Sequence, residues 1–139
     1  MTEKLILDFI AEICEELEIE IPEISHDTSK FKSKTMMAMC DGNTIYFKKT
    51  DKPNPDVLFS IAHELRHLWQ IKTDEKYYFE NYKEVGTIST EDYNKQIAEV
   101  DANAYAGVVM IDCFNLQPLF QGMAEDVVKL IRKRMKEIY

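Results

Sequence analysis

The segment His63-Glu64-Leu65-Arg66-His67 places two histidines four residues apart, with a glutamate directly after the first. On an α-helix, positions i and i+4 share a face, so both imidazoles can reach one cation. Glu64 falls roughly 60–100° around such a helix, near the cation without having to bind it. A carboxylate there suits a general base that takes a proton from water, and zinc held by the two histidines would bring that water's pKa towards neutrality. A catalytic zinc commonly has three protein ligands and a fourth position for water, and two histidines with one glutamate is a standard set. Glu99, on a later helical segment, is the candidate third ligand. Asn103, one turn further along the same stripe, is the candidate to hold a ligand histidine by its second ring nitrogen. Asp101 is the rival ligand, but it lies about 200° around the helix from Glu99 and reads better as a hydrogen-bonding residue. Without a third ligand, two histidines on a helix would be equally consistent with a surface pair or a satisfied buried pair.

These residues need elements to position them. Asn54 can cap a helix, Pro55 suits its first position, and Asp56 faces its positive end. On that helix Leu58, Ile61, Leu65, Leu68 and Trp69 cluster on the face opposite His63 and His67, so it can be anchored and still present its histidines. Ser89-Thr90-Glu91-Asp92 has the form of a capping box, and helical periodicity follows to about Cys113. Small Ala102 and Ala106 would let this helix, the bearer of Glu99, approach the histidine helix closely. Upstream, Leu5, Ile6, Phe9, Ile10, Ile13 and Leu17 predict an amphipathic helix over 3–18. Ile19, Ile21 and Ile24 alternate around Pro22 as a short edge-type strand. The run from Thr35 to Cys40, then Asp41-Gly42-Asn43, then Thr44 to Phe47 reads as a β-hairpin, and the stretch Asp51-Lys52-Pro53 ends the sheet. Thr73 to Thr87, polar and tyrosine-rich, reads as a long loop with room for a strand. After a break around Asn115 to Pro118, Met123, Val127, Leu130, Ile131, Met135 and Ile138 mark a C-terminal amphipathic helix. The expected fold is α+β: one domain over 1–139, mainly helical, with a small sheet containing the hairpin and with the two site-bearing helices packed together.

The pairing of His63-Glu64-Leu65-Arg66-His67 with Ala98-Glu99-Val100-Asp101-Ala102-Asn103-Ala104-Tyr105-Ala106 resembles the gluzincin-type zinc metallopeptidases, in particular the small ImmA/IrrE-like group and similar phage and mobile-element proteins. The resemblance covers about residues 35 to 112. It implies a compact zincin-like domain, a peptide or protein substrate, Glu99 as third zinc ligand, Asn103 as the residue behind the ligands, and Tyr105 as core. It also implies that the hairpin before the histidine helix borders the cleft, where an extended peptide could bind by strand addition. Arg66 stands where that pattern often has glycine, and Asp101 replaces its second glutamate. The competing expectation is a regulatory or binding module that keeps the fold without turnover. A purely structural zinc fits poorly, because such sites usually have four ligands and are commonly rich in cysteine.

The composition narrows the classes further. A chain of 139 residues that is 45% hydrophobic and 30% charged has the balance of one globular domain. Its formal charge of −8 argues against a nucleic-acid partner. The basic run Arg132-Lys133-Arg134 is short and suits a helix C-terminus. No apolar run reaches the ~20 residues of a membrane span, and the N-terminal residues are interrupted by Asp8, Glu12, Glu15 and Glu16, unlike a signal peptide. Cys14, Cys40 and Cys113 are scattered, so neither a disulfide framework nor a thiolate zinc site is expected, and the cytoplasm is the natural compartment. Sequence does not determine the oligomeric state. His26 reads as a turn histidine or a transition-state donor, and Tyr77, Tyr78 and Tyr82 as loop packing or as phenols facing an oxyanion. The methionines, among them Met36, Met37 and Met39, read as gap-filling residues rather than metal ligands.

Overall fold

The computed structural model describes residues 2–52 and 54–139; Pro53, expected to help end the sheet, lies outside them. The chain divides into two compact units, Met1–Trp69 and Gln70–Tyr139. In the first, α1 (Thr2–Leu17) buries Ile6, Phe9, Ile10, Ile13, Cys14 and Leu17 along one stripe. This is the helix expected over 3–18. Glu18, in the left-handed region at φ 56°, turns the chain out of it, and the Ile19 N–H returns to Cys14 O at 2.9 Å.

Three short strands follow: β1 (Glu23–Ser25), β2 (Ala38–Asp41) and β3 (Thr44–Phe47). Their order is β1-β3-β2, with β1 parallel and β2 antiparallel to β3, so β1 and β2 are both edges. The hairpin closes at the Asp41–Thr44 pair, and Gly42 takes the positive φ of 61° that the two-residue turn requires. Ala38, Ile45 and Phe47 are buried. Then α2 (Pro55–Phe79) begins as its sequence dictates: Asn54 Oδ1 accepts the Asp56 N–H at 2.9 Å, and Asn54 O accepts the Leu58 N–H at 3.1 Å. Val57, Leu58, Ile61, Ala62 and Leu65 are buried, while Leu68 and Trp69 are only partly so.

The last residues of α2 open the second unit. A loop was expected from Thr73; instead helix runs to Phe79, interrupted only at Asp74, whose Oδ1 accepts the N–H of Tyr77 at 3.2 Å and caps the restarted turn. Residues 71–77 are exposed, so this stretch carries no apolar stripe by which a helix could be read. The capping box also starts a different helix from the one expected. Ser89 accepts the Asp92 N–H at 3.1 Å, but α3 (Thr90–Asn94) ends after five residues. Gln96 is extended, and its side chain bonds the backbone of Lys83 through both Lys83 N–H and Lys83 O, at 2.6 and 3.0 Å. The helix bearing Glu99, α4 (Ile97–Phe114), begins only after it.

α4 buries residues all round its circumference from Ala98 to Met110 and ends at Asn115, left-handed at φ 55°. The last helix, α5 (Glu125–Ile138), lays Val127, Ile131 and Met135 on Ala104 and Val108 of α4. Gly107 allows the close packing there: a Cβ at that position would meet Met135 Cε at 3.1 Å and Pro118 Cγ at 3.3 Å, and these side chains would have to give way. Helices and one small mixed sheet make this an α+β fold. Among the described residues, no helix is long and apolar enough to cross a membrane.

Candidate metal centre

In the first unit α2 brings His63 and His67 together. Their Nε2 atoms are 3.1 Å apart and the rings stand at 89°, centroids 4.7 Å apart. Both rings are half-buried, opposite the buried stripe of Ile61 and Leu65. Glu64 lies beside them, with Oε2 3.7 Å from His63 Nε2. Its other oxygen, Oε1, accepts the backbone N–H of Cys40 at 3.0 Å. That donor comes from the sheet edge. Cys40 is one residue from the hairpin-closing pair, and alternate residues of an antiparallel edge strand turn their N–H away from the partner strand. The sheet thus fixes the carboxylate's orientation with an N–H it would otherwise leave open.

The Cys40 thiol is pushed far above its ordinary range, first by burial and then by the charge of Glu64. It remains protonated at neutral pH. Arg66, buried at 6% exposure, stacks its guanidinium 3.6 Å over the Trp69 ring. His26 is committed elsewhere: Nδ1 lies 3.2 Å from Phe47 O and the ring packs edge-on against Phe47.

In the second unit Glu99 occupies the first turn of α4 and is 3% exposed. Tyr82 donates its phenolic hydrogen to Glu99 Oε2 at 2.8 Å, and the Tyr93 hydroxyl lies 2.9 Å from that of Tyr82. A phenol has one proton. With that of Tyr82 given to Glu99, the Tyr93 hydroxyl is the donor to Tyr82, and a chain of two phenols ends on the carboxylate. Burial, then the charge of Glu99, raises the Tyr82 pKa far above the phenol's ordinary value, so this donor keeps its proton. Asn103 lies one turn beyond Glu99, buried at 4% exposure.

Asp101 is 2% exposed and has a hydrogen-bonding role. Its Oδ1 accepts from Arg134 Nε and Nη2, each at 2.8 Å, and its Oδ2 from Gln70 Nε2 at 2.8 Å. Gln70 also donates to Ala98 O at 2.9 Å. The first turn of α4, immediately around Glu99, is therefore tied to the last helix and to Gln70, three residues beyond His67 on α2. Sequence reasoning had not assigned Gln70, Arg134 or Tyr93 to this neighbourhood. The density of tyrosines between Tyr77 and Tyr93 was the available signal for the phenol chain, but it did not say which of them meets a carboxylate. Tyr77 is 59% exposed, a surface residue rather than loop packing. No protein-family model, curated protein or solved structure matches this chain.

Proposed function

We propose that this chain is a zinc-dependent hydrolase acting on peptide bonds, a zincin-like metallopeptidase with Glu64 as general base. The observation that carries the reading is the convergence of His63 Nε2 and His67 Nε2 to 3.1 Å with the Glu64 carboxylate alongside. Two nitrogens on one tetrahedral zinc, each at ~2.0–2.1 Å from it, stand roughly 3.3–3.4 Å apart, so the donor pair fits that ion. His63, His67 and Glu99 are the residues that would hold it, and two imidazoles with one carboxylate leave a coordination position for water. Zn2+ so held supplies Lewis acidity, lowering the pKa of water and polarising a carbonyl.

The remaining work falls to the chain. Glu64 takes the proton of the attacking water and passes it to the leaving amine. The Cys40 N–H keeps Glu64 in one rotamer through both transfers. The Tyr93–Tyr82 chain holds Glu99 in place, and Asn103 is the residue that would orient a ligand histidine by its other ring nitrogen. The edge of β2, outside the Cys40 N–H that Glu64 occupies, offers backbone to an extended substrate.

The test uses Glu64→Gln, which keeps the shape and removes the base. Zinc should remain bound at one per chain while cleavage of a peptide-library substrate falls by about 10²–10⁴-fold. Loss of zinc in Glu64→Gln, or its full retention in His63→Ala and His67→Ala, would overturn the assignment. A wild-type protein that binds zinc and cleaves no peptide would instead be a non-catalytic module on the same scaffold.

A further inference from the structure

The second unit carries a cleft that the proposed chemistry does not use. It has a volume of about 290 Å³, lies between the end of α2, the start of α4 and the outer face of α5, and has Asp101 and Arg134 in its wall. A neighbouring depression of about 190 Å³, lined also by Tyr82 and Gln96, adjoins this groove along Tyr77, Tyr78 and Ile97. Its apolar lining is unusually open to solvent: Tyr77 is 59% exposed, Ile97 50% and Leu130 40%. Isolated exposed apolar residues are ordinary, but three lining one concave surface are the pattern of a binding site.

The charge on the rim is opposite to that of the chain. Against a net charge of −8, five basic side chains fall between Lys129 and Lys136 on α5. Of those lining the groove, Arg134 is spent on Asp101 and Glu137, whereas Lys95 reaches its nearest carboxylates only at 3.5 and 3.9 Å. Lys133 is exposed and has no carboxylate partner among the described residues. An incoming carboxylate thus finds one unpaired and one weakly paired ammonium beside apolar walls.

We infer that this groove binds an acidic peptide segment carrying a bulky apolar side chain, with Lys133 and Lys95 taking its carboxylates and Tyr77, Ile97 and Leu130 its apolar group. The inference is independent of whether the chain hydrolyses anything. It would recruit an acidic protein by a short segment, with specificity set by charge as much as by shape.

The experiment is fluorescence anisotropy on the full chain in excess chelator, so that failure of the hydrolase reading cannot affect it. The probe is a short fluorescein-labelled peptide of glutamates containing one leucine and one phenylalanine. Binding with Kd below about 1 mM is expected, weakening with added salt. Lys133→Glu should weaken it about tenfold or more, and Tyr77→Ser should weaken it at unchanged salt dependence, both with unchanged circular dichroism. The proposal is overturned if a lysine-substituted peptide binds as well, if no peptide binds, or if Lys133→Glu leaves binding intact. It is equally overturned if a single-stranded oligonucleotide binds more tightly than the peptide through Lys133. Self-association of the chain abolished by Lys133→Glu would show that a second copy occupies the groove.

Discussion

On the proposed function Glu99 must be kept from turning away from a cation, and a half-buried phenol holds its carboxylate. Tyr82 has a single strong partner for its proton, Glu99 Oε2, and Tyr93 supports it from behind. Tyr82→Phe keeps the ring packed and deletes that hydrogen bond together with the one its hydroxyl accepts from Tyr93. Zinc affinity should then fall by about 10–100-fold, the usual cost of losing a group that orients a ligand, while the unfolding midpoint moves little. Competition titration against a chromophoric chelator measures it, and an unchanged affinity would show that the phenol plays no part in holding zinc. At this scale the His63, Glu64 and His67 arrangement was legible, because four-residue spacing on a helix fixes geometry locally. The Tyr82–Glu99 bond was not, since it crosses a loop, a short helix and a break in the backbone.

Helix ends decide where the elements place these side chains. Asn54 satisfies the first turn of α2, so Asn54→Ala should cost about 1 kcal/mol in urea denaturation and leave zinc stoichiometry at one per chain. At the start of α4 the anchor is charged. Asp101→Ala removes the acceptor shared by Gln70 and Arg134, leaving a fully buried amide underbonded and a guanidinium with only Glu137 beside it. The loss should be about 3 kcal/mol, at the low end for a broken buried pair because the Arg134 side chain is 31% exposed. Asp101→Ala should therefore unfold more readily yet still bind one zinc, whereas Glu99→Ala should lose zinc and keep more of its stability. The opposite pattern in denaturation and metal analysis would make Asp101 the ligand. The cap at Asn54 was plain from Asn-Pro-Asp. The break at Gln96 was hidden because the capping box and the helical period on either side of it run in phase.

At the scale of the whole molecule, the thiols of Cys14 and Cys40 are held protonated. Burial raises Cys14 from 9.0 to about 11, and Cys40 higher still. The folded state thus holds these protons more tightly than the unfolded chain does. The stabilisation is complete below pH 9 and is lost as pH rises from there through 11. Urea midpoints should be flat from pH 7 to 8.5 and fall by pH 10.5, with a shallower fall in Cys14→Ala. An equal fall in that variant would assign the slope to other groups, such as the growing self-repulsion of an acidic chain.

The sequence alone determined what can be encoded within a few residues: the paired histidines with Glu64 beside them, the cap and apolar stripe of α2, the Gly42 hairpin, and the amphipathic outer helices α1 and α5. Each rests on spacing or on one residue's conformational freedom, and neither needs the rest of the chain. Tertiary structure decided the features that join distant segments. It directed the open N–H of an edge strand onto Glu64, attached Tyr82 to Glu99, and turned Asp101 from a possible ligand into the acceptor of Gln70 and Arg134. It also made α4 a helix buried on every face, which no periodicity can reveal, because a helix without a solvent side has no polar stripe to set its phase.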